Sequence, residues 1–114
     1  MVALALELAR TGNTSELVEF LDHRLPVDTQ GDDGQSLLML AAYHGHMATV
    51  RALIERGADL DLLNARDQSP LAGALFKGED EVARALIEAG ASLDTGTPTA
   101  REAARMFGRA HLLL

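Results

Sequence analysis

The chain has 114 residues, 47% apolar and 24% charged, which is enough for one folded domain and excludes wholesale disorder. Its 17 acidic and 10 basic residues give a formal charge of −7, the wrong sign for replacing counterions on nucleic acid or settling on an anionic membrane. Cysteine is absent, and with it disulfides, zinc–thiolate sites and thiol nucleophiles.

The aromatic residues are Phe20, Tyr43, Phe76 and Phe107, so the core must come from Ala, Leu, Val and Ile. That palette suits close-packed short helices better than a β-sandwich. Segment 1–10 carries Glu7 and has no basic region ahead of a long apolar run, so it is not expected to act as a signal peptide. No run of residues reaches the length needed to span a bilayer. For a chain complete at its N-terminus, a soluble cytoplasmic protein is expected. Lys77 is the single lysine and alanine is abundant, which points to a GC-rich, bacterial gene.

Displacing the sequence against itself by 33 residues brings 31–63 onto 64–96 with 14 identities, where composition alone would give roughly two or three. In chain order, the first unit covers about 1–30. Its Gly12 falls on Gly45, Leu17 on Val50, Phe20-Leu21 on Leu53-Ile54, and Asp28 on Asp61. Phe20 therefore lies on the apolar stripe of a second helix and is assigned to the core.

In the second unit, 31–63, Ser36 is placed to N-cap a helix running through about His44, which Gly45 ends as the left-handed residue. Val50, Leu53 and Ile54 then form one apolar stripe on a second helix that Gly57 closes. The third unit, about 64–93, repeats the scheme with Ser69, Gly78, the stripe Ala83, Leu86 and Ile87, and Gly90. Glu79, Asp80 and Glu81 open its second helix, where carboxylates complement the helix dipole, and that role accounts for them. Gly73, inside its first helix, should cost up to about 1 kcal/mol relative to alanine. The last unit, about 94–114, is truncated. It joins the alignment only if three residues are removed from the loop, which sets Thr99-Ala100 on Ser69-Pro70, Ala104 on Ala74 and Gly108 on Gly78.

Asp33-Gly34-Gln35-Ser36-Leu37-Leu38-Met39-Leu40-Ala41-Ala42-Tyr43-His44-Gly45-His46, followed by Leu53-Ile54-Glu55-Arg56-Gly57-Ala58-Asp59, resembles the ankyrin-repeat family. Gln68-Ser69-Pro70-Leu71 and Leu86-Ile87-Glu88-Ala89-Gly90-Ala91 carry the pattern into the next unit. The family histidine of the Thr-Pro-Leu-His turn is replaced by Met39 in one unit and Ala72 in the other, so that turn is expected to be less rigid here. The resemblance implies an all-α solenoid of paired antiparallel helices with β-hairpin-like loops, two full repeats and a capping repeat at each end.

It further implies that the first helices line a concave face, that the loops project as fingers, and that another protein binds there. The two residues before each turn glycine are then the binding candidates: Arg10 and Thr11, Tyr43 and His44, Phe76 and Lys77, Met106 and Phe107. On the fingers they are Asp32, Asp33 and Gln35, then Ala65, Arg66 and Gln68. Tyr43, Phe76 and Phe107 in one row, flanked by Arg10, His44 and Lys77, have the composition of an anchor set for a protein partner; the alternative is that the rings fold onto neighbouring first helices and fill space.

Chemistry finds little footing. His44-Gly45-His46 lacks a third ligand type nearby in sequence, the family itself places a turn histidine at the second position, and Gly45 is expected to turn its neighbours apart. Asp28, Asp32, Asp33 and Gly34 do not make a calcium loop, because the glycine comes too late and the closing position is Met39. No phosphate-binding glycine loop is present, Ser15, Ser36, Ser69 and Ser92 sit at cap or loop positions, and His23 and His111 stand alone. No enzyme activity, cofactor or metal is therefore expected. The partner is expected to be a protein and the chain a monomer, with Leu112-Leu113-Leu114 offering an alternative docking or dimer contact.

Overall fold

Seven short helices and a final 3-10 helix follow from these caps and glycines in the computed structural model, which describes residues 1–113. They are α1 (Val2–Thr11), α2 (Thr14–Asp22), α3 (Leu37–Tyr43), α4 (Met47–Glu55), α5 (Pro70–Lys77), α6 (Asp80–Glu88), α7 (Ala100–Met106) and the 3-10 helix Ala110–Leu113. The Ser36 hydroxyl accepts from Met39 N at 3.0 Å and the Ser69 hydroxyl from Ala72 N at 3.1 Å, so both expected N-caps form. Thr99 goes further. Its hydroxyl accepts from Glu102 N while the Glu102 carboxylate accepts from Thr99 N, a complete capping box that holds the Glu102 carboxyl below its usual range.

The helices form two layers. In one, α1, α3, α5 and α7 pack in series; in the other, α2, α4, α6 and the 3-10 helix do the same. The first layer is the tighter, because alanines such as Ala5, Ala9, Ala41, Ala42, Ala74, Ala103 and Ala104 are fully buried there and let helix axes approach. Between the layers lie Leu17, Leu37, Leu38, Val50, Leu53, Leu71, Leu75 and Leu86, each withdrawn almost entirely from water. Each such side chain stabilises the fold by about 1.5–3 kcal/mol of transfer free energy. Phe20 is half-buried against this core, as its stripe position implied.

Three kinds of contact join successive helix pairs. The Asp28 carboxylate accepts from Asp59 N at 2.9 Å, and the aligned Asp61 accepts from Ser92 N at 2.8 Å. Thr14 and the buried Thr49 share a hydroxyl–hydroxyl bond of 2.6 Å. Above each turn glycine lies a side chain of the next pair: His46 over Gly12, Glu79 over Gly45 and Arg109 over Gly78. A Cβ on Gly12 would stand 2.6 Å from His46 Nδ1, one on Gly78 would stand 2.7 Å from Arg109 Nη2, and one on Gly45 would overlap the Glu79 carboxylate. Glycine at Gly45 thus serves both a positive φ of 73° and this close approach.

The loops are hairpin-like but hardly strands. An isolated antiparallel bridge, Gln30 with Ser36, is the one β-pairing among the described residues. The first finger closes with Gly31 N donating to Gln35 O and the second with Asn64 N donating to Gln68 O. The third, three residues shorter, bends at a cis Thr97–Pro98 bond and is tied to the second by Thr97 N donating to Asp67 O. At the end of the chain, Leu112 is buried and Leu113 half-buried against the chain's own core, while Arg109 Nε donates to Asp80 at 2.8 Å. The remaining member of the leucine triplet, Leu114, lies outside the described residues.

Gly57 also has a positive φ, 81°, but nothing lies within 4 Å of a Cβ built there. Gly57→Ala should therefore cost only the left-handed backbone penalty, about 1–2 kcal/mol. Gly34→Ala, at a φ of 79°, should cost measurably more, because a Cβ there would stand 2.6 Å from the backbone nitrogen of Ala65, which cannot swing aside. Urea unfolding of the two variants side by side checks this, and equal losses would count against the close approach of the two fingers at Gly34.

Candidate functional site

A groove of about 500 Å3 runs along the first-helix layer beneath the fingers. Its floor and ends are Met39 and Tyr43 from α3, Gly73 and Phe76 from α5, and Ala103, Met106 and Phe107 from α7 and its cap. Gln35, Arg66, Gln68 and Pro98 supply the finger side. The structure thus brings together Tyr43, Phe76, Met106, Phe107, Gln35, Arg66 and Gln68 from the sequence-derived set.

The aromatic row forms, and its geometry follows the repeat register. Tyr43 and Phe76 occupy equivalent positions one repeat apart, and their rings stack with centroids 6.3 Å apart and planes 16° from parallel. With the shortened last loop, the equivalent of Phe76 is Met106 and not Phe107. Phe107 falls one position later, at the cap of α7, and meets Phe76 edge-on at 5.1 Å and 76°. Phe76 is 56% exposed and Met106 65% exposed, whereas Tyr43 and Phe107 are half-buried.

Lys77 reaches back over the Tyr43 ring, its Nζ 4.9 Å from the centroid, a cation–π contact. His44 meets the same ring edge-on. Burial, then the charges of Lys77, Arg10 and His46, hold the His44 imidazole below its usual pKa. The His44 and His46 rings are not turned apart as the intervening glycine suggested. They lie 28° from parallel with centroids 6.4 Å apart. The turn role of His46 explains its position: its Nε2 pairs with Arg10 O at 2.8 Å.

Other candidates stand away from the groove. Arg10 is paired with Glu7 on its own helix, and the Thr11 hydroxyl donates to Glu7 O. Asp33 lines a smaller cleft between the finger tips, where its side chain accepts from Gln35 N and its carbonyl from Ala65 N. Asp32 and Ala65 are exposed on the fingers.

Gly73 has a packing reason that its helix position concealed. A Cβ there would meet Met39 Sδ at 3.3 Å and Tyr43 Cδ1 at 3.5 Å, so the bare backbone makes room for the row's first ring and for the groove floor. The propensity penalty is the cost of that space.

A family model of ankyrin repeats in three copies matches residues 4–97. The chain belongs to the ankyrin-repeat family. It is 51% identical over 45 residues to an ankyrin repeat protein of Pseudomonas aeruginosa, a match covering 40% of this chain and 26% of that one. It is 46% identical over 55 residues to the human ankyrin repeat domain-containing protein 29, covering 47% of this chain and 18% of the human protein. A mouse serine/threonine-protein kinase matches at 37% over 54 residues, 46% of this chain and 6% of the kinase. The chain thus spans about a quarter or less of the length of these relatives. Among its described residues no helix is long and apolar enough to cross a membrane.

Within this ankyrin framework one residue of the site escaped the sequence reading. Asn64 is buried at the root of the second finger. Its Oδ1 accepts from Arg66 N at 2.9 Å and Gln68 N at 3.0 Å, which fixes the amide orientation. Its Nδ2 then donates to Gln35 Oε1 at 3.2 Å and Gln68 Oε1 at 2.8 Å, joining two fingers. The repeat alignment sets Asn64 on Gly31, so periodicity carried no signal for it; the one available clue was Asn four residues before Gln in a turn. Asn64→Ala would strand two backbone donors and free both glutamines. A loss of about 1–3 kcal/mol is expected by urea unfolding. Faster amide exchange at Arg66 and Gln68 should accompany it.

Proposed function

We propose that this chain is a non-catalytic interaction module that receives a segment of a partner protein in the groove along its first helices and fingers, serving as an adaptor or as an inhibitor of that partner. Ankyrin repeats generally act as protein–protein interaction modules, which supports the broad reading. The observation that carries the finer one is the exposure of Phe76 and Met106 at the edge of an apolar groove already lined by Tyr43 and Phe107. Large apolar side chains held in the open beside a concavity are the anchors on which binding energy concentrates.

The proposal covers the whole of 1–114 as one domain with the four units set out above, acting as a cytoplasmic monomer without cofactor, and of bacterial origin as the Pseudomonas relative supports. Docking or dimerisation through the C-terminal leucines has less to recommend it, since Leu112 is already buried in the chain's own core. Tyr43, Phe76, Met106 and Phe107 are assigned as anchors, Gln35, Arg66 and Gln68 as polar contacts, and His44 and Lys77 as the cationic rim.

The test separates anchors from packing. Phe76→Ala should change stability by no more than about 0.5 kcal/mol, because the ring is largely in water. It should weaken capture of the native partner from cell extract by about 2 kcal/mol or more, roughly thirtyfold. A variant that unfolds by several kcal/mol yet keeps its partner would overturn the assignment and make the row a packing feature.

A further inference from the structure

The groove has a chemical polarity that its apolar floor does not require. The chain carries 17 acidic residues, yet no carboxylate lines the groove, and its one charged lining residue is Arg66. Arg10, Arg56, Arg101 and Arg109 are each held in an ion pair, whereas Arg66 and Lys77 have no carboxylate within ion-pair distance among the described residues. They share this with Arg24, Arg51, Arg84 and Arg105, but Arg66 is the one among these unpaired cations that lines the groove.

The finger wall adds uncharged donors. Because Asn64 Nδ2 donates to the Oε1 atoms of both Gln35 and Gln68, those carbonyl oxygens are engaged from within. The side-chain nitrogens, Nε2 of Gln35 and Nε2 of Gln68, make no hydrogen bond among the described residues, and both residues line the groove. Asn64 therefore leaves donors on a wall that already holds the Arg66 guanidinium. A wall of donors favours a ligand rich in acceptors, and the ionised carboxylate is the acceptor-only side chain whose charge also complements Arg66.

We propose that the groove selects an acidic peptide segment, in which a large apolar side chain enters between Tyr43, Phe76 and Phe107 while a flanking aspartate or glutamate is received by Arg66 and the amides of Gln35 and Gln68. This rests on the interaction reading above and specifies the partner's chemistry. It runs against the net charge of the protein, which by itself would attract basic segments. Local donors at hydrogen-bond range decide over distant charges, because salt screens the latter beyond a Debye length of about 8 Å at physiological ionic strength.

A phage-displayed library of random peptides, panned on the full chain at physiological salt, tests this. Enriched sequences should carry Asp or Glu beside a large apolar residue. Peptides so enriched should bind roughly tenfold or more weakly to Arg66→Glu and to Gln68→Glu. The latter substitution retains an oxygen for Asn64, so the finger should stay folded while its wall loses a donor and gains a negative charge. Phe76→Ala should abolish the same binding. Enrichment of peptides that need Phe76 but show no acidic excess, or that are indifferent to Arg66→Glu and Gln68→Glu, would overturn the acidic preference and leave the interaction reading standing. Peptides that bind Phe76→Ala as well as the parent, or no enrichment at all, would overturn both.

Discussion

The structure depends on how closely one helical pair can approach the one before it. No pair here buries its own apolar stripe; a leucine such as Leu53 or Leu86 is withdrawn from water only because neighbouring pairs close over it. That closure needs narrow helices and bare turns. Alanines supply the first along α1, α3, α5 and α7, and the turn glycines supply the second beneath His46, Glu79 and Arg109. A larger residue in place of the buried alanines would push neighbouring helices apart, because interiors are close-packed and transmit such misfits.

The same approach makes the groove. Residues one repeat apart occupy equivalent positions on adjacent first helices, so side chains distant in sequence become neighbours in a row. Tyr43 and Phe76 stack nearly parallel for that reason, and Phe107, displaced by one position, meets its neighbour edge-on. The site therefore belongs to no single unit. Its floor comes from three first helices and its wall from the fingers, where Asn64 makes three side-chain hydrogen bonds within its own finger and one to Gln35 of the other. Rigid elements carry the proposed anchors, and a small polar network orients the donors, a division of labour that would limit the entropy lost on taking up a ligand.

Some apparent irregularities become consistent in that light. Gly73 weakens its own helix but leaves room for Met39 and Tyr43. Met39 and Ala72 stand where relatives of the motif place histidine, yet the serine caps Ser36 and Ser69 still hold both turns, and Met39 instead helps to floor the groove. The acidic start of α6 is likewise structural, with Glu79 packed over Gly45 and Asp80 paired with Arg109.

The repeat, the helix limits, the apolar stripes and the row of candidate anchors were all legible in the sequence. They follow from spacing and local chemistry: serine or threonine before a helix, glycine after it, and leucine or isoleucine at helical intervals. Even Asp28 and Asp61 were aligned before their shared role as acceptors between units was visible. What only the tertiary structure decided were relations between units that have no counterpart within one. Which rings stack, that Phe76 stays in water while Tyr43 is half-covered, and that Leu112 turns inward are products of packing across the repeat boundary. The orientation of Asn64 is set within its own finger, but bringing Gln35 onto its amide needed two fingers in contact. Periodicity reports what units have in common, and the binding chemistry proposed for this protein lies largely in what distinguishes them.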